Sequence, residues 1–192
     1  MKFSALTAAL ASVAAAIPIS QVAQRADDDV QAFGIMALRS ASPIHFGQFG
    51  AALRSVFINL PAQNATCDGE APTGAVFYLK DGGLYLYGNT LTQQLYADRS
   101  GMGQGKFGYI TGDEGKPRYG ELTTWAIDEN DNLSLNGAGW LACPNSIDGA
   151  WSVWVNAGND KPGYNEGCLG FSARTVPLDD TYAVKCDYTR ER

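Results

Sequence analysis

Histidine and charged side chains are scarce in this 192-residue sequence. It contains one histidine, His45, and Asp, Glu, Lys and Arg together make up 18% of its residues. One histidine excludes a metal centre built from several histidines, and a Ser-His-Asp or Cys-His catalytic device would have to use His45. No nucleophile motif accompanies it. We therefore interpret His45 as structural and predict no catalytic residue, no metal ligand and no cofactor.

Basic residues are outnumbered by acidic ones. The 14 Lys and Arg residues and 20 Asp and Glu residues give a formal net charge of −6 at pH 7. Nucleic-acid binders present an excess of Lys and Arg to phosphates, so we expect no nucleic-acid partner. The last residues, 187–192, are polar and lack the hydrophobic tail of a glycolipid anchor signal, so we expect no membrane anchor.

Long apolar runs are absent apart from one near the N terminus. Lys2 precedes an apolar stretch, residues 3–16, that ends in three alanines. This arrangement predicts a secretory signal peptide over residues 1–16. Residues 17–32 are acidic and lack periodicity, so we predict a flexible leader there, followed by a single all-β domain over residues 33–192.

The four cysteines all follow the predicted signal peptide, and no Cys-x-x-Cys spacing occurs among them. An even number of cysteines in a secreted chain predicts disulfides rather than a zinc site. Two disulfides allow three connectivities, and the sequence does not choose among them. The predicted disulfide cysteines are Cys67, Cys143, Cys168 and Cys186.

Two Asn-x-Ser/Thr sequons predict N-glycosylation, at Asn64 and Asn132. A secreted chain exposes both to the glycosylation machinery. Asn64 is favoured because it lies in a polar stretch just before Cys67. Asn132 begins an apparent strand after a turn, so it is either a glycosylation site or a turn residue.

Glycine and aromatic residues are abundant, with 22 Gly, 8 Phe, 4 Trp and 9 Tyr, which favours short strands joined by tight turns. An Asp-Gly-Gly turn at residues 81–83 predicts a hairpin between runs at 75–80 and 84–87. A second hairpin is predicted from strands at 124–127 and 133–135. Further strands are predicted at residues 33–38, 56–60, 94–97, 107–111, 140–143, 151–155, 169–173 and 182–186.

Alternation within the hairpins predicts which side chains share a face. In the first hairpin, Leu84 and Leu86 lie on one face and Tyr85 and Tyr87 on the other. In the second hairpin, the side chains predicted to face the core are Trp125, Ile127, Leu133 and Leu135.

Helical periodicity is nearly absent from the sequence, and the best helical candidate is a single turn at residues 51–54.

About a dozen short strands at nearly regular spacing predict an all-β fold. We expect a single antiparallel β-sandwich or closed barrel, stapled by disulfides. The two hairpins share a loose theme of an aromatic strand, an acidic turn and a Leu-x-Leu strand. That similarity keeps a three-fold β-trefoil as an alternative.

Two loops imitate ligand-binding motifs without completing them. Residues 100–107 are rich in glycine, but Ser100 and Phe107 occupy positions where a Walker loop needs glycine and Ser or Thr. Residues 128–132 carry oxygen ligands spaced as in half of a calcium loop, but Leu133 stands where the invariant glycine belongs. We interpret the first as an interstrand loop and the second as a hairpin turn.

Pairs of carboxylates are the remaining route to catalysis, because they meet in space rather than in sequence. Glu121 with Glu166, or Asp98 with Asp113, are the candidates for a glycoside hydrolase. No local motif distinguishes either pair, so a secreted hydrolase is a minor hypothesis.

Exposed aromatic side chains on strands are candidates for carbohydrate stacking. In the strand at 151–155, Trp154 lies on the face opposite Trp151. An exposed indole offers a flat apolar surface to a sugar ring, as would Tyr85 and Tyr87 in the first hairpin. The alternative is that Trp154 packs beneath a loop.

Several strings of the sequence are long and unusual: residues 98–106, 142–146, 149–152 and 84–87. On these strings the chain resembles the PhiA family of phialide-associated cell wall proteins of filamentous ascomycete fungi, from about residue 33 to residue 188. The resemblance implies a secreted, non-enzymatic wall glycoprotein involved in phialide and conidium development, hence sporulation, and in stress protection. It supplies no catalytic residues, and the Asn64 sequon matches the family's position.

Two functions follow from these observations. The first is a structural protein of the fungal wall that contacts wall polysaccharide or other wall proteins. The second is a secreted, lectin-like carbohydrate-binding module that uses Trp154, Tyr85 or Tyr87.

Overall fold

The computed structural model describes residues 30–191. The predicted signal peptide, residues 1–16, and most of the predicted leader, residues 17–32, lie outside the described residues. At the start of the described chain, Ala32 is buried and its carbonyl accepts a hydrogen bond from Leu178 N at 2.9 Å.

The described chain is built from short strands, and two single turns of 3₁₀ helix are its only helical elements. This all-β content confirms the predicted fold class. In chain order the strands are β1 (Phe33–Leu38), β2 (Phe49–Ala52), β3 (Ser55–Ile58), β4 (Thr66–Cys67), β5 (Phe77–Lys80), β6 (Gly83–Leu86), β7 (Gln93–Asp98), β8 (Lys106–Thr111), β9 (Trp125–Ile127), β10 (Leu133–Leu135), β11 (Trp140–Cys143), β12 (Trp151–Val155), β13 (Leu169–Pro177) and β14 (Cys186–Asp187).

Ten strands form one antiparallel sheet that folds into two layers. The first layer has the order β1-β13-β11-β12-β3-β2 and the second has the order β5-β6-β7-β8. Single residue pairs join the layers: Phe33 with Phe77, Ser55 with Gly108, and Lys106 with Trp154. The arrangement is therefore sandwich-like rather than a closed barrel. The strand order within residues 30–191 has no three-fold repeat, so the alternative β-trefoil prediction is wrong.

One hydrophobic core fills the space between the layers. Trp140 of β11 lies at its centre, with the rings of Phe107 and Phe49 at 5.0 and 6.0 Å from its own. Its Nε1 donates a hydrogen bond to Leu133 O at 2.7 Å, so burial leaves this polar group satisfied. The β9–β10 hairpin thereby covers one end of the core.

The two predicted hairpins form β5–β6 and β9–β10. Leu84 and Leu86 are buried and Tyr85 is partly exposed, which confirms the predicted alternation. The prediction that Ile127 faces the core is wrong, because 36% of this residue is exposed. The hairpin is a separate two-stranded sheet that packs against β13 mainly through β10, which leaves Ile127 on the outer strand.

Two further secondary-structure predictions, one of a helical turn and one of a strand, differ from the structure. The helical turn expected at residues 51–54 is wrong: Ala52 ends β2, and Leu53 and Arg54 form the turn to β3 with φ of 52° and 58°. This left-handed pair suits a two-residue hairpin, whose twist matches that of its strands. The strand predicted at 182–186 is wrong except for its last residue, because the strand there is β14 (Cys186–Asp187), which pairs only with the two residues of β4.

Two disulfides staple the sandwich, as predicted, and the structure selects one connectivity. Cys67 pairs with Cys186 and joins β4 to β14. Cys143 pairs with Cys168 and joins the end of β11 to the segment before β13. Among residues 30–191, no helix has the length and apolar character needed to span a bilayer.

Candidate functional site

Strand β12 places Trp154 on the outer side of the first layer. Val153 and Val155 point into the core with 2% and 0% exposure, whereas Trp154 between them is partly exposed. The alternation predicted from the sequence is therefore the one observed. The loop of residues 162–164 packs against the edge of the indole, because a Cβ on Gly163 would lie 2.9 Å from its Cη2 atom.

A groove of about 530 Å³ opens beside the Trp154 ring. Two side chains at this groove, Tyr164 and Met102, have exposures of 92% and 89%, the highest of the large hydrophobic side chains within residues 30–191. We call this feature the Trp154 groove and define it by Tyr96, Asp98, Met102, Lys106, Trp154 and Tyr164.

The β7–β8 turn forms one wall of the groove and depends on glycine. A Cβ on Gly103 would lie 2.1 Å from Asp98 Cγ, and one on Gly105 would lie 1.9 Å from Val155 O. The glycines thus permit close packing against β7 and β12. The turn joins two strands, β7 and β8, and is therefore the interstrand loop that the sequence predicted.

A side-chain bridge connects the two loops at the groove. Gln104 Oε1 accepts hydrogen bonds from Asn159 Nδ2 at 3.0 Å and from Gly163 N at 2.8 Å. Asp98 Oδ1 accepts from Ser100 N and Oγ at 3.0 and 2.6 Å. These bonds hold the loops in place and so set the distance between Tyr164 and Trp154.

The charges of the groove are one amine and one carboxylate. Lys106 Nζ donates to Ser55 Oγ at 2.6 Å and lies 5.7 Å from the centre of the Trp154 ring. Burial lowers the pKa of Lys106. Burial also raises the pKa of Tyr96, and the negative charge of Asp98 adds to that rise.

The tyrosines predicted as stacking platforms form a separate surface. Tyr85 stacks on Tyr78 with ring centres 5.1 Å apart, and Tyr87 meets Tyr78 edge-on at 6.0 Å. Lys185 Nζ lies 5.4 Å from the Tyr87 ring. Tyr85 and Tyr87 do not line the Trp154 groove, and their rings already contact neighbours within the chain.

Three of the polar candidates, His45, Glu121 and Glu166, are engaged in structural contacts. His45 Nδ1 accepts a hydrogen bond from Arg39 N at 3.2 Å. Glu121 receives two hydrogen bonds from Arg99, at 2.8 and 2.6 Å, and these bonds lower the pKa of Glu121. A general acid needs a raised pKa, so Glu121 has the opposite property. Glu166 pairs with Lys161 at 2.8 Å.

The acidic turn at residues 128–132 uses its oxygens internally. Asp128 Oδ1 accepts from Asn130 N and Asn132 N, both at 2.8 Å, and the bond from Asn132 is the main cause of the lowered pKa of Asp128. This geometry is the hairpin turn that the sequence predicted. Within residues 30–191, no group of three or more His, Cys, Asp or Glu side chains is arranged to hold a metal ion.

The two sequons lie in different surroundings. Asn64 is exposed, in the segment between β3 and β4. Asn132 is partly buried: its Nδ2 lies 3.3 Å from Asp128 Oδ2, and its Oδ1 is buried without a hydrogen-bond partner among the described residues.

Sequence reasoning missed Tyr96, Met102 and Tyr164 as groove residues. Met102 lies in a loop and Tyr164 ends the single 3₁₀ turn Pro162–Tyr164, so no hydrophobic periodicity marks either residue. Both line the groove with Trp154 only because these segments pack around β12. The only sequence signal is the pair of aromatic residues, Trp154 and Tyr164, ten positions apart around a segment with two glycines.

Comparisons with known proteins agree with the predicted resemblance. A family model described as PhiA-like secreted protein matches residues 33–189. The chain is 48% identical over 184 residues to the protein named Cell wall protein phiA of Emericella nidulans, covering 95% of this chain and 97% of that one. The protein of that name from Aspergillus niger is 48% identical over 180 residues, covering 93% and 94%.

A more distant relative, the Cell wall protein phiA of Arthroderma benhamiae, is 40% identical over 167 residues and covers 83% of this chain and 88% of its own. No solved structure matches the chain. The similarity to these relatives therefore extends over nearly the whole domain and is not confined to one motif. The chain belongs to the PhiA-like secreted protein family and is a secreted protein of the fungal cell wall.

Proposed function

We propose that the protein is a non-enzymatic structural glycoprotein of the fungal wall that takes part in phialide and conidium development and in stress protection. The observation that carries the proposal is the similarity, over nearly the full chain, to proteins named Cell wall protein phiA. A compact sandwich with two disulfides suits a protein that persists outside the cell.

The contacts of the polar candidates support a role without catalysis. His45 binds the backbone at Arg39, and Glu121 is held as an ion by Arg99. Neither group is poised to transfer a proton to a substrate. Purified protein that hydrolysed wall polysaccharide would contradict this part of the proposal.

Retention in the wall requires a binding partner. We propose that this partner is wall polysaccharide, with other wall proteins as the alternative. Exposed aromatic side chains support this assignment, because they offer apolar surface that the fold itself leaves uncovered. The Trp154 groove is the best candidate contact. A freely diffusing lectin-like module is the second candidate function, favoured by the same groove.

Fractionation of fungal cultures tests the proposal. The medium, the detergent-extracted wall, the reductant-released wall and the alkali-released wall are each probed for the mature chain. We expect the chain in a wall fraction, with the releasing agent identifying the bond that holds it. Recovery from the medium alone would contradict retention and favour the diffusible module.

Deletion of the gene tests the developmental role. We expect fewer conidia and greater sensitivity to wall stress, both restored by the wild-type chain. Normal conidium numbers and normal stress resistance in the deletion strain would contradict this part of the proposal.

A further inference from the structure

We infer that the Trp154 groove binds an uncharged chain of β-linked pyranoses, of the glucan or chitin kind, between Trp154 and Tyr164. This inference rests on the proposed contact with wall polysaccharide and names both the site and the chemical class of ligand. It adds Tyr164, Met102 and Tyr96 as ligand-contacting residues.

The exposure of Tyr164 is the first argument. It is 92% exposed, and Met102 on the same groove is 89% exposed, so the two most exposed large hydrophobic side chains among residues 30–191 line one groove. Folding gains nothing from apolar surface left in water. Such a cluster therefore marks a binding surface rather than a scattered feature of the exterior.

The backbone of Tyr164 is the second argument. Its φ is 61°, a left-handed conformation that is unfavourable for a bulky side chain. The neighbouring Gly163 also has a φ of 61° and is anchored by the Gln104 side chain at 2.8 Å. The chain thus holds Tyr164 in a costly conformation that projects its ring into solvent beside the groove.

Polar groups available at the groove match sugar hydroxyls. Asp98 uses Oδ1 for Ser100, whereas Asp98 Oδ2 accepts no hydrogen bond from the described residues. Gln104 uses Oε1 for the two loops, whereas its Nε2 donates none to the described residues. One acceptor and one donor therefore remain beside the aromatic rings, which is the combination that a hydroxylated ring requires.

Charge argues for an uncharged ligand. The charged residues lining the groove are Asp98 and Lys106, one of each sign. The whole chain carries a formal net charge of −6, which disfavours anionic polysaccharides.

The flatness of each aromatic ring favours β-linked chains. Pyranoses with equatorial hydroxyls and equatorial β-linkages present flat C–H faces that can lie on Trp154 and Tyr164. An α-1,4-linked chain, with its axial linkages, coils and presents less of this flat face than an extended β-linked chain. The groove is therefore suited to β-linked chains.

Calorimetric titration of the purified wild-type chain with laminarihexaose, chitohexaose and maltohexaose tests the inference. We expect binding of at least one β-linked oligosaccharide, and the one that binds identifies the wall polymer as glucan or chitin. We expect weaker or no binding of the α-linked maltohexaose. Affinity should change little between about 0.05 and 0.5 M NaCl, since the ligand is uncharged.

Tyr164→Ala should weaken binding by about tenfold or more, because truncating a central aromatic contact typically has this effect. Tyr164 is almost fully exposed, so this variant should unfold at the wild-type temperature. Tyr182→Ala is the matched control, a 67% exposed tyrosine outside the groove, and should bind like the wild type. Trp154→Ala should also lose binding, and its unfolding curve verifies that it folds.

Absence of binding to both β-linked chains, equal binding of maltohexaose, or unchanged affinity in Tyr164→Ala would overturn the inference. These outcomes are separable from failure of the proposed function. A chain found in the wall fraction that binds neither β-linked oligosaccharide would leave the wall role intact and overturn the site. A chain found only in the medium that binds through Tyr164 would contradict wall retention and support the site.

Discussion

Gln93 is a fully buried polar residue whose side chain connects β7 to the C-terminal segment. Its Oε1 accepts from Tyr188 N at 2.8 Å, and its Nε2 donates to Tyr188 O at 2.9 Å and to Thr111 Oγ1 at 3.2 Å. It thus satisfies both backbone groups of a residue that forms no strand. A buried polar group with all its partners stabilises the fold, and loss of the partners is costly.

Gln93→Leu should lower the free energy of unfolding by about 2 to 4 kcal/mol, because the backbone groups of Tyr188 would be buried without partners. Urea unfolding at pH 7 measures the change. Gln94→Leu is the matched control, since Gln94 lies on the opposite face and is partly exposed. Equal losses in the two variants would contradict the role assigned to Gln93.

Of the two predicted sequons, Asn64 is expected to carry the glycan. Asn64 is exposed, whereas glycosylation of Asn132 would disturb its Nδ2 contact with Asp128 at 3.3 Å and its buried Oδ1. Peptide mass spectrometry of the secreted protein, before and after enzymatic deglycosylation, measures occupancy of both sites. A glycan on Asn132 and none on Asn64 would contradict this expectation.

At the scale of elements, the short strand β14 stabilises the fold through Asp187. Its carboxylate accepts hydrogen bonds from Asn89 N, Thr90 N and Leu91 N at 3.0 to 3.1 Å, and from Thr90 Oγ1. Partial burial alone raises the pKa of Asp187, but these hydrogen bonds together outweigh it, so the pKa lies below its usual value.

A lowered folded-state pKa makes stability depend on pH in a defined direction. The unfolded carboxyl has a pKa of about 3.9, so the stabilisation from Asp187 is complete above about pH 5 and is lost as pH falls through the folded-state pKa. We expect Asp187→Asn to lower the free energy of unfolding by about 1 kcal/mol at pH 7. The stability of this variant should also depend less on acidic pH than that of the wild type. Urea titrations at several pH values measure this. The exposed Asp160→Asn serves as control and should follow the wild-type curve.

At the scale of the whole molecule, the two disulfides differ most in the length of chain they enclose. Cys67 and Cys186 are 119 residues apart, whereas Cys143 and Cys168 are 25 apart. Each bond joins one buried and one partly buried cysteine, so the pairs are matched in surroundings. Restriction of the unfolded chain grows with loop length, so the bond of Cys67 should stabilise more.

We expect replacement of Cys67 and Cys186 by alanine to lower the free energy of unfolding by about 1 kcal/mol more than replacement of Cys143 and Cys168. Urea unfolding of the two double variants, beside the wild type, measures the difference. An equal or reversed order would contradict the loop-length argument.

Local signals in the sequence are sufficient to predict the positions of most of the strands. Residues 33–38, 140–143 and 151–155 form strands with the predicted bounds, because alternation and turn residues act within a few positions. The β2 strand was missed because Phe49–Ala52 is buried along its length and shows no alternation. Its assignment depends on pairing with β3 rather than on its own pattern.

The amino-acid sequence by itself determined the all-β class, the presence of two disulfides, the family and the outward face of Trp154, since each depends on local composition, spacing or alternation. The tertiary structure alone decided the two-layer arrangement, the pairing of Cys67 with Cys186, and the meeting of Tyr164, Met102 and Trp154 in one groove. These features join residues far apart in the chain or carried on loops. Their proximity follows from how the layers pack, which no local pattern encodes.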